Sequence, residues 1–295
     1  MNPIITLLQA EPGYFLAIIF ILGLLVGSFL NVVIYRLPIM MQRQWKQECS
    51  ELLDINTEKS AAENAAAEEK YNLVVPRSRC PHCDHSITAL ENIPVISYLA
   101  LRGKCPECRK SISPRYPIIE LFTGIISLAV AWHFGFSWQT AFALLLSWAL
   151  IAMSAIDIEH QLLPDSLTLP FMWLGLIVSL GSVFISVNAS LIGAVAGYLV
   201  LWLVFHIFHL ITGKEGMGYG DFKLLALLGA WLGWHMLPIV ILLSSVVGAI
   251  VGISMIVILG RDKNIPIPFG PYLAAAGWIS LLWGEQIMAA YLTYL

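Results

Sequence analysis

The sequence is short of charge. Only 12% of its residues are Asp, Glu, Lys or Arg, where an ordinary soluble domain carries about 25%. With 58% hydrophobic residues and a mean hydropathy of +0.79, the chain has too little polar side chain to live in water. It reads as an all-α polytopic membrane protein. A basic n-region and a small-residue cleavage site are missing from its start, so the first apolar run is expected to stay as an anchor and not be removed as a signal peptide. Internal repeats are missing too, which argues against the inverted-repeat architecture of many transporters. No glycine-rich strand-turn-helix fingerprint of a dinucleotide-like site appears in the polar part of the chain.

What is there instead is a series of apolar runs near the roughly 20 residues that a bilayer span requires. About eight transmembrane helices are expected, at 14–35, 118–136, 138–156, 167–187, 189–211, 221–236, 238–259 and 271–293. Lys and Arg stay on the cytoplasmic side of short loops. All sixteen fit one orientation, with twelve in 36–117, then Lys214, Lys223, Arg261 and Lys263. That places both termini outside. The sixth run is short enough to raise a re-entrant hairpin, but a hairpin would flip Arg261 and Lys263 outward, so a protein-facing span is expected. The organisation is then a first helix over 1–35, a soluble insert over 36–117, and a seven-helix membrane domain over 118–295.

The insert has two parts. "TEKSAAENAAAEEK" (57–70) is nearly free of large apolar residues and reads as a solvated helix or mobile segment. Beyond it, Cys80-Pro-His-Cys83 and Cys105-Pro-Glu-Cys108 are separated by 21 residues, one beyond the usual gap of roughly 15 to 20. Each tight turn aims two thiolates at one ion, and two turns complete a tetrahedron. Disulfides are uncommon in a reducing loop, so a structural zinc on Cys80, Cys83, Cys105 and Cys108 is expected. His82 and His85 are substitute ligands that four cysteines make unnecessary. Cys49 stands apart as an ordinary thiol.

Acidic residues are scarce among the spans, and a carboxylate at a membrane edge is costly enough to suggest function. Asp157, in "SAIDIEHQLLPD", ends the third span, and Asp221, in "GMGYGDFK", begins the sixth on the same face. Each has a plain reading: Asp221 as an N-cap, Asp157 as an interfacial acid. Together, beside a flexible Gly-x-Gly turn, they resemble a two-aspartate hydrolytic site. One ionised carboxylate activates water while the other, protonated, polarises a carbonyl and donates a proton. Helix termini suggest Asp221 as the ionised base and Asp157 as the proton carrier. Asp165 is expected to be an N-cap, Glu159 and Glu215 are rivals, and His206 and His209 are expected to pack and hydrogen-bond instead of binding metal.

At this point "GSFLNVVIYRLP" (27–38), "PRSRCPHC" (76–83), "ENIPVISYLALRGKCPEC" (91–108), "ISPRYPIIE" (112–120), Asp157 and "GYGDFKLLA" (218–226) together resemble the type IV prepilin peptidases, which are leader peptidases and N-methyltransferases of bacterial inner membranes. The resemblance covers nearly the whole chain. It maps the family's catalytic aspartates onto Asp157 and Asp221 and its zinc cysteines onto the four named above. It implies cleavage of the basic leader of type IV prepilin and pseudopilin precursors after a glycine, on the cytoplasmic side. Methylation of the new N-terminus with S-adenosylmethionine would follow. The lipid bilayer is the other implied partner, and no nucleic acid is. Methyl transfer rests on resemblance alone, with Asn31, Arg36, Glu91, Asn92 and Gly103 as candidate cofactor-binding residues. Gly103 leads them because a side chain there would distort the turn beside the second knuckle. Glu91, Glu107 and Glu120 form an acidic patch that either attracts a basic leader or is a solvated face. Two other readings compete: a transporter with a carboxylate relay, and a methyltransferase or assembly scaffold without peptidase activity.

Overall fold

The computed structural model describes residues 8, 11–53, 71–214, 216–260 and 267–293. The Ala/Glu-rich stretch 57–70, Glu215, Arg261 and Lys263 lie outside the described residues. Among the described residues the regular elements are helices, with two isolated β-bridges and no strand. The helices are α1 (Pro12–Leu52), α2 (Ile96–Ala100), α3 (Arg115–Phe134), α4 (Trp138–His160), α5 (Asp165–Leu180), α6 (Val187–Thr212), α7 (Tyr219–Leu232), α8 (Leu237–Leu259) and α9 (Gly270–Thr293), with a 3-10 turn at Trp234–Met236. Five segments are long and apolar enough to cross a membrane: α1, α3, α4, α6 and Trp234–Ile258. Asp165–Leu180 is apolar but shorter. The protein is a multi-pass membrane protein.

The chain forms two compact units, Leu16–Leu128 and Met1–Phe15 with Ala129–Leu295. In the first, α1 does not stop near 35 as expected. It continues to Leu52 with Pro38 inside it, because "MMQRQWKQECSEL" is built of good helix formers and its polar side chains stand exposed beyond Met41. Below that extension α1 packs closely on α3. A Cβ at Gly23 would come within 2.6 Å of Ser127 Oγ, and one at Gly27 within 2.7 Å of the Glu120 Cα. Small residues at four-residue spacing let the two backbones approach where no hydrophobic force operates between helices.

In the second unit α7 is the central element, and Asp221, Phe222 and Leu224 through Leu232 are all buried. Its fourteen residues span about 21 Å, short of a hydrocarbon core of roughly 30 Å. It can be this short because protein surrounds it. Gly193 and Gly197 of α6 meet Gly229 and Leu225 backbone to backbone, with no room for a Cβ. Ser190 Oγ donates to the Ala230 carbonyl, and Trp231 Nε1 donates to the Phe171 carbonyl of α5 at 2.8 Å. The sixth segment is one continuous helix over Tyr219–Leu232. It runs alongside α9, with Gly220 and Gly270 meeting at Leu163, Leu228 against Gly277, and Met236 against Gly284.

Candidate active site and metal centre

Asp157 lies in the last turn of α4 and Asp221 in the first turn of α7, and each is only 6% exposed. They come from distant parts of the chain, yet Leu163 lies against both Gly220, next to Asp221, and Gly270, which contacts Asp157. Asp221 is not the N-cap. That place belongs to Gly218, whose carbonyl accepts the Asp221 N–H at 3.2 Å, and Asp221 lies within the first turn. Asp157 ends its helix as the sequence implied, with its carbonyl accepting the N–H of Gln161 at 2.9 Å. Its carboxylate, however, accepts the backbone N–H of Gly270 at 3.0 Å, the first residue of α9.

Each acid is therefore met by a helix N-terminus, where a negative charge is favoured. The asymmetry that sequence suggested, with Asp157 opposed by a helix C-terminus, is offset by the positive end of a different helix. The assignment of Asp221 as base and Asp157 as proton carrier loses its physical basis. Gly270 carries a steric requirement as well, since a Cβ there would lie 2.6 Å from Asp157 Oδ2. Gly270→Ala is expected to displace that carboxylate and cut turnover about tenfold while leaving the fold intact, as read by steady-state kinetics beside thermal unfolding. Wild-type turnover would show that the contact is slack.

The neighbouring acids separate from the pair. Glu159 is exposed, 4.0 Å from His160. Asp165 is not an N-cap either: Pro164 holds that position, and Asp165, already inside the helix, directs its carboxylate to Lys223. His206 and His209 do pack. His206 Nδ1 lies 2.9 Å from the Trp202 carbonyl, and His209 stacks on Phe205.

The knuckles are built as two copies of one turn. Cys80 N–H donates to the His85 carbonyl and Cys105 N–H to that of Lys110, both at 2.9 Å. Asp84 and Arg109 take the same left-handed conformation, φ 54 and 59. The four sulfurs lie within 4.8 Å of one another, with Cys80 to Cys108 at 3.8 Å and Cys83 to Cys105 at 3.9 Å. A tetrahedron with metal–sulfur bonds of about 2.3 Å has edges of roughly 3.8 Å, so the group fits zinc. The His82 backbone N–H holds the Cys80 thiol down at about 7. At Cys83 the His85 backbone N–H pulls the same way, but burial and the three neighbouring sulfurs outweigh it and push the thiol up to about 12. Four sulfurs this close ionise together only around a cation. Neither histidine joins them: His82 meets Lys110 at 3.4 Å, and His85 lies between Glu91 at 3.2 Å and Glu107 at 2.7 Å.

Cys80→Ser with Cys105→Ser is expected to remove about one zinc per chain and to expose 71–114 to proteolysis, read by metal analysis and limited digestion. A wild-type chain without zinc would overturn the knuckle reading.

Both halves of the chain match known families. The Bacterial Peptidase A24 N-terminal domain matches residues 21–134 and the Type IV leader peptidase family matches residues 144–253. A protein of Stutzerimonas stutzeri named prepilin leader peptidase/N-methyltransferase is 58% identical over 294 residues, covering 100% of this chain and 99% of its own. Proteins of the same name from Pseudomonas aeruginosa and Legionella pneumophila are 56% and 46% identical, covering 99% and 96% of this chain and 98% and 96% of their own. The chain belongs to the type IV leader peptidase family. No solved structure matches it.

Within this family member, the candidate methyl-transfer residues all fall in the Leu16–Leu128 unit, and most have structural partners. Arg36 is buried and donates to the carbonyls of Asn72 (2.9 Å) and Pro76 (2.6 Å), tying the entry of the loop to α1. Asn31 donates to the Tyr116 carbonyl at 3.1 Å, tying its exit, and its buried Oδ1 has no partner. Glu91 accepts from the Thr88 N–H at 2.8 Å and engages His85. Gly103 has φ +66, and a Cβ would lie 2.9 Å from Tyr98 Oη, the turn requirement that sequence suggested. Asn92 is exposed. The acids do not form one patch: Glu91 and Glu107 share His85, while Glu120 is buried and accepts the Val95 N–H at 2.8 Å. Gly270 and Lys223 are what sequence reasoning missed; "PFGP" and "DFK" carry no local sign of partners far along the chain.

Proposed function

We propose that the chain is a bifunctional enzyme of the bacterial inner membrane. It cleaves the basic leader of type IV prepilin and pseudopilin precursors after a glycine, then methylates the new N-terminus with S-adenosylmethionine. The single observation that carries the peptidase reading is the placing of two buried carboxylates on helix ends that meet at Leu163, Asp157 against Gly270 and Asp221 next to Gly220. Two like charges held close resist ionising together, so one acid stays protonated while its partner is ionised.

In this reading the ionised aspartate takes a proton from water, and the oxygen attacks the carbonyl of the leader's last residue. The protonated aspartate hydrogen-bonds that carbonyl, and one proton passes to the leaving nitrogen as the peptide bond breaks. Gly218 adds no side chain beside Asp221, and a Cβ there would meet nothing nearer than 4.0 Å, which leaves room for an extended substrate backbone. The orientation from Lys and Arg puts the dyad and the leader junction at the same cytoplasmic face, with both termini outside. The four cysteines would hold zinc as a staple of the loop, with no open position for chemistry. Methyl transfer is supported by the name its relatives carry.

The test is mass spectrometry of a pilin-like precursor incubated with the purified protein, with and without S-adenosylmethionine. Cleavage without the cofactor, and an added methyl group only with it, are expected. An uncut precursor, with several precursors tried and the fold verified, would remove the peptidase reading.

A further inference from the structure

The strap between α4 and α5 grips α7 at two points. α4 ends at His160, Gln161 follows in left-handed backbone (φ 53), and α5 starts at Asp165. Within the strap, Leu163 lies against both glycines at the site. A Cβ at Gly220 would come within 2.7 Å of the Leu163 Cβ, and one at Gly270 within 3.2 Å of its Cδ1. Two residues later the Asp165 carboxylate accepts from the Lys223 ammonium through both oxygens, each at 2.7 Å. Gly220 and Lys223 lie on either side of Asp221. The strap that holds them both continues the helix that carries Asp157.

We propose that Leu163, Asp165 and Lys223 are positioning residues that set the separation of the two aspartates, a role that rests on the dyad reading above. The pair is partly solvated, with side chains 30% and 54% exposed, and an exposed ion pair adds little to stability. Its effect lies in geometry. Tyr219 and Phe222 pack the first turn of α7 on Phe205 of α6, and Leu163 with the Asp165–Lys223 pair joins that turn to the strap. A displacement of about 1 Å is enough to cost up to roughly 10²-fold in rate when reacting groups must align.

The test is a charge-exchange cycle in the full-length enzyme, with Lys223→Met, Asp165→Asn, and the double variant Lys223→Asp with Asp165→Lys. Precursor cleavage and hydrogen exchange at the Asp221–Leu224 amides are both measured. Each single variant is expected to lower kcat about tenfold with KM within about twofold, and to speed exchange at those amides; the double variant should recover most of both. Unchanged kcat and exchange in the singles would overturn the clamp. So would a rise in KM alone, which would make Asp165 a docking point for the basic leader, or a kcat loss that charge exchange does not restore. If the wild type cleaves nothing, the functional reading fails by itself. Hydrogen exchange then still decides whether the pair holds the turn, and unchanged exchange overturns it.

Discussion

Asp157→Asn and Asp221→Asn are each expected to lower precursor cleavage by about 10³-fold or more while the protein stays folded. The asparagine side chain matches the carboxylate in size, and at position 157 its amide oxygen still accepts the N–H of Gly270. The geometry that holds the site is thereby kept. What is lost is the ability to take or give a proton. Both positions are 6% exposed, and a neutral amide is less costly to bury than a carboxylate. Thermal stability in detergent should hold or rise, which separates loss of chemistry from loss of fold. The double variant should be no worse than either single, since the two acids act as one unit. Normal cleavage by either single variant would dismiss the dyad.

The second large effect concerns a contact remote from the chemistry. A Cβ on Gly229 would overlap the backbone carbonyl of Gly193, and one on Gly193 would overlap that of Gly229. Backbone cannot swing aside as a flexible side chain does, so α6 and α7 must separate. Gly229→Ala and Gly193→Ala are each expected to cost about 3 kcal/mol from overpacking, a large share of a typical total of about 5 to 15 kcal/mol. Because α7 carries Asp221, activity should fall with stability. Gly13→Ala is the control, since a Cβ there meets nothing within 4 Å. Thermal unfolding of the three variants decides it, and wild-type midpoints at both helix contacts would mean that the helices are looser than their spacing implies.

The clustering of the four cysteines was legible almost completely. Each knuckle depends on two cysteines in one turn with a left-handed residue just after, a pattern written over six consecutive residues. The apolar runs likewise announced the helices, since lipid demands length and hydropathy of each segment independently of its neighbours. Asp157 at a helix end and Asp221 at a helix start also followed from local signals. The boundary at 35 did not, because a change from apolar to polar residues marks the end of a membrane segment and not of a helix: "MMQRQWKQECSEL" exchanges lipid for water without breaking a hydrogen bond.

What the sequence by itself determined is therefore the family, the membrane class, the four-cysteine cluster and the place of two acids at helix ends. Tertiary structure alone decided how those acids are held. The N–H that meets Asp157 comes from 113 residues away, and the ammonium that clamps the turn of Asp221 is paired with a carboxylate 58 residues off. Contacts at such distances are set by which helices pack together, and that packing turns on glycines whose function is to have no side chain. A residue chosen for what it omits leaves no periodicity and no charge to read.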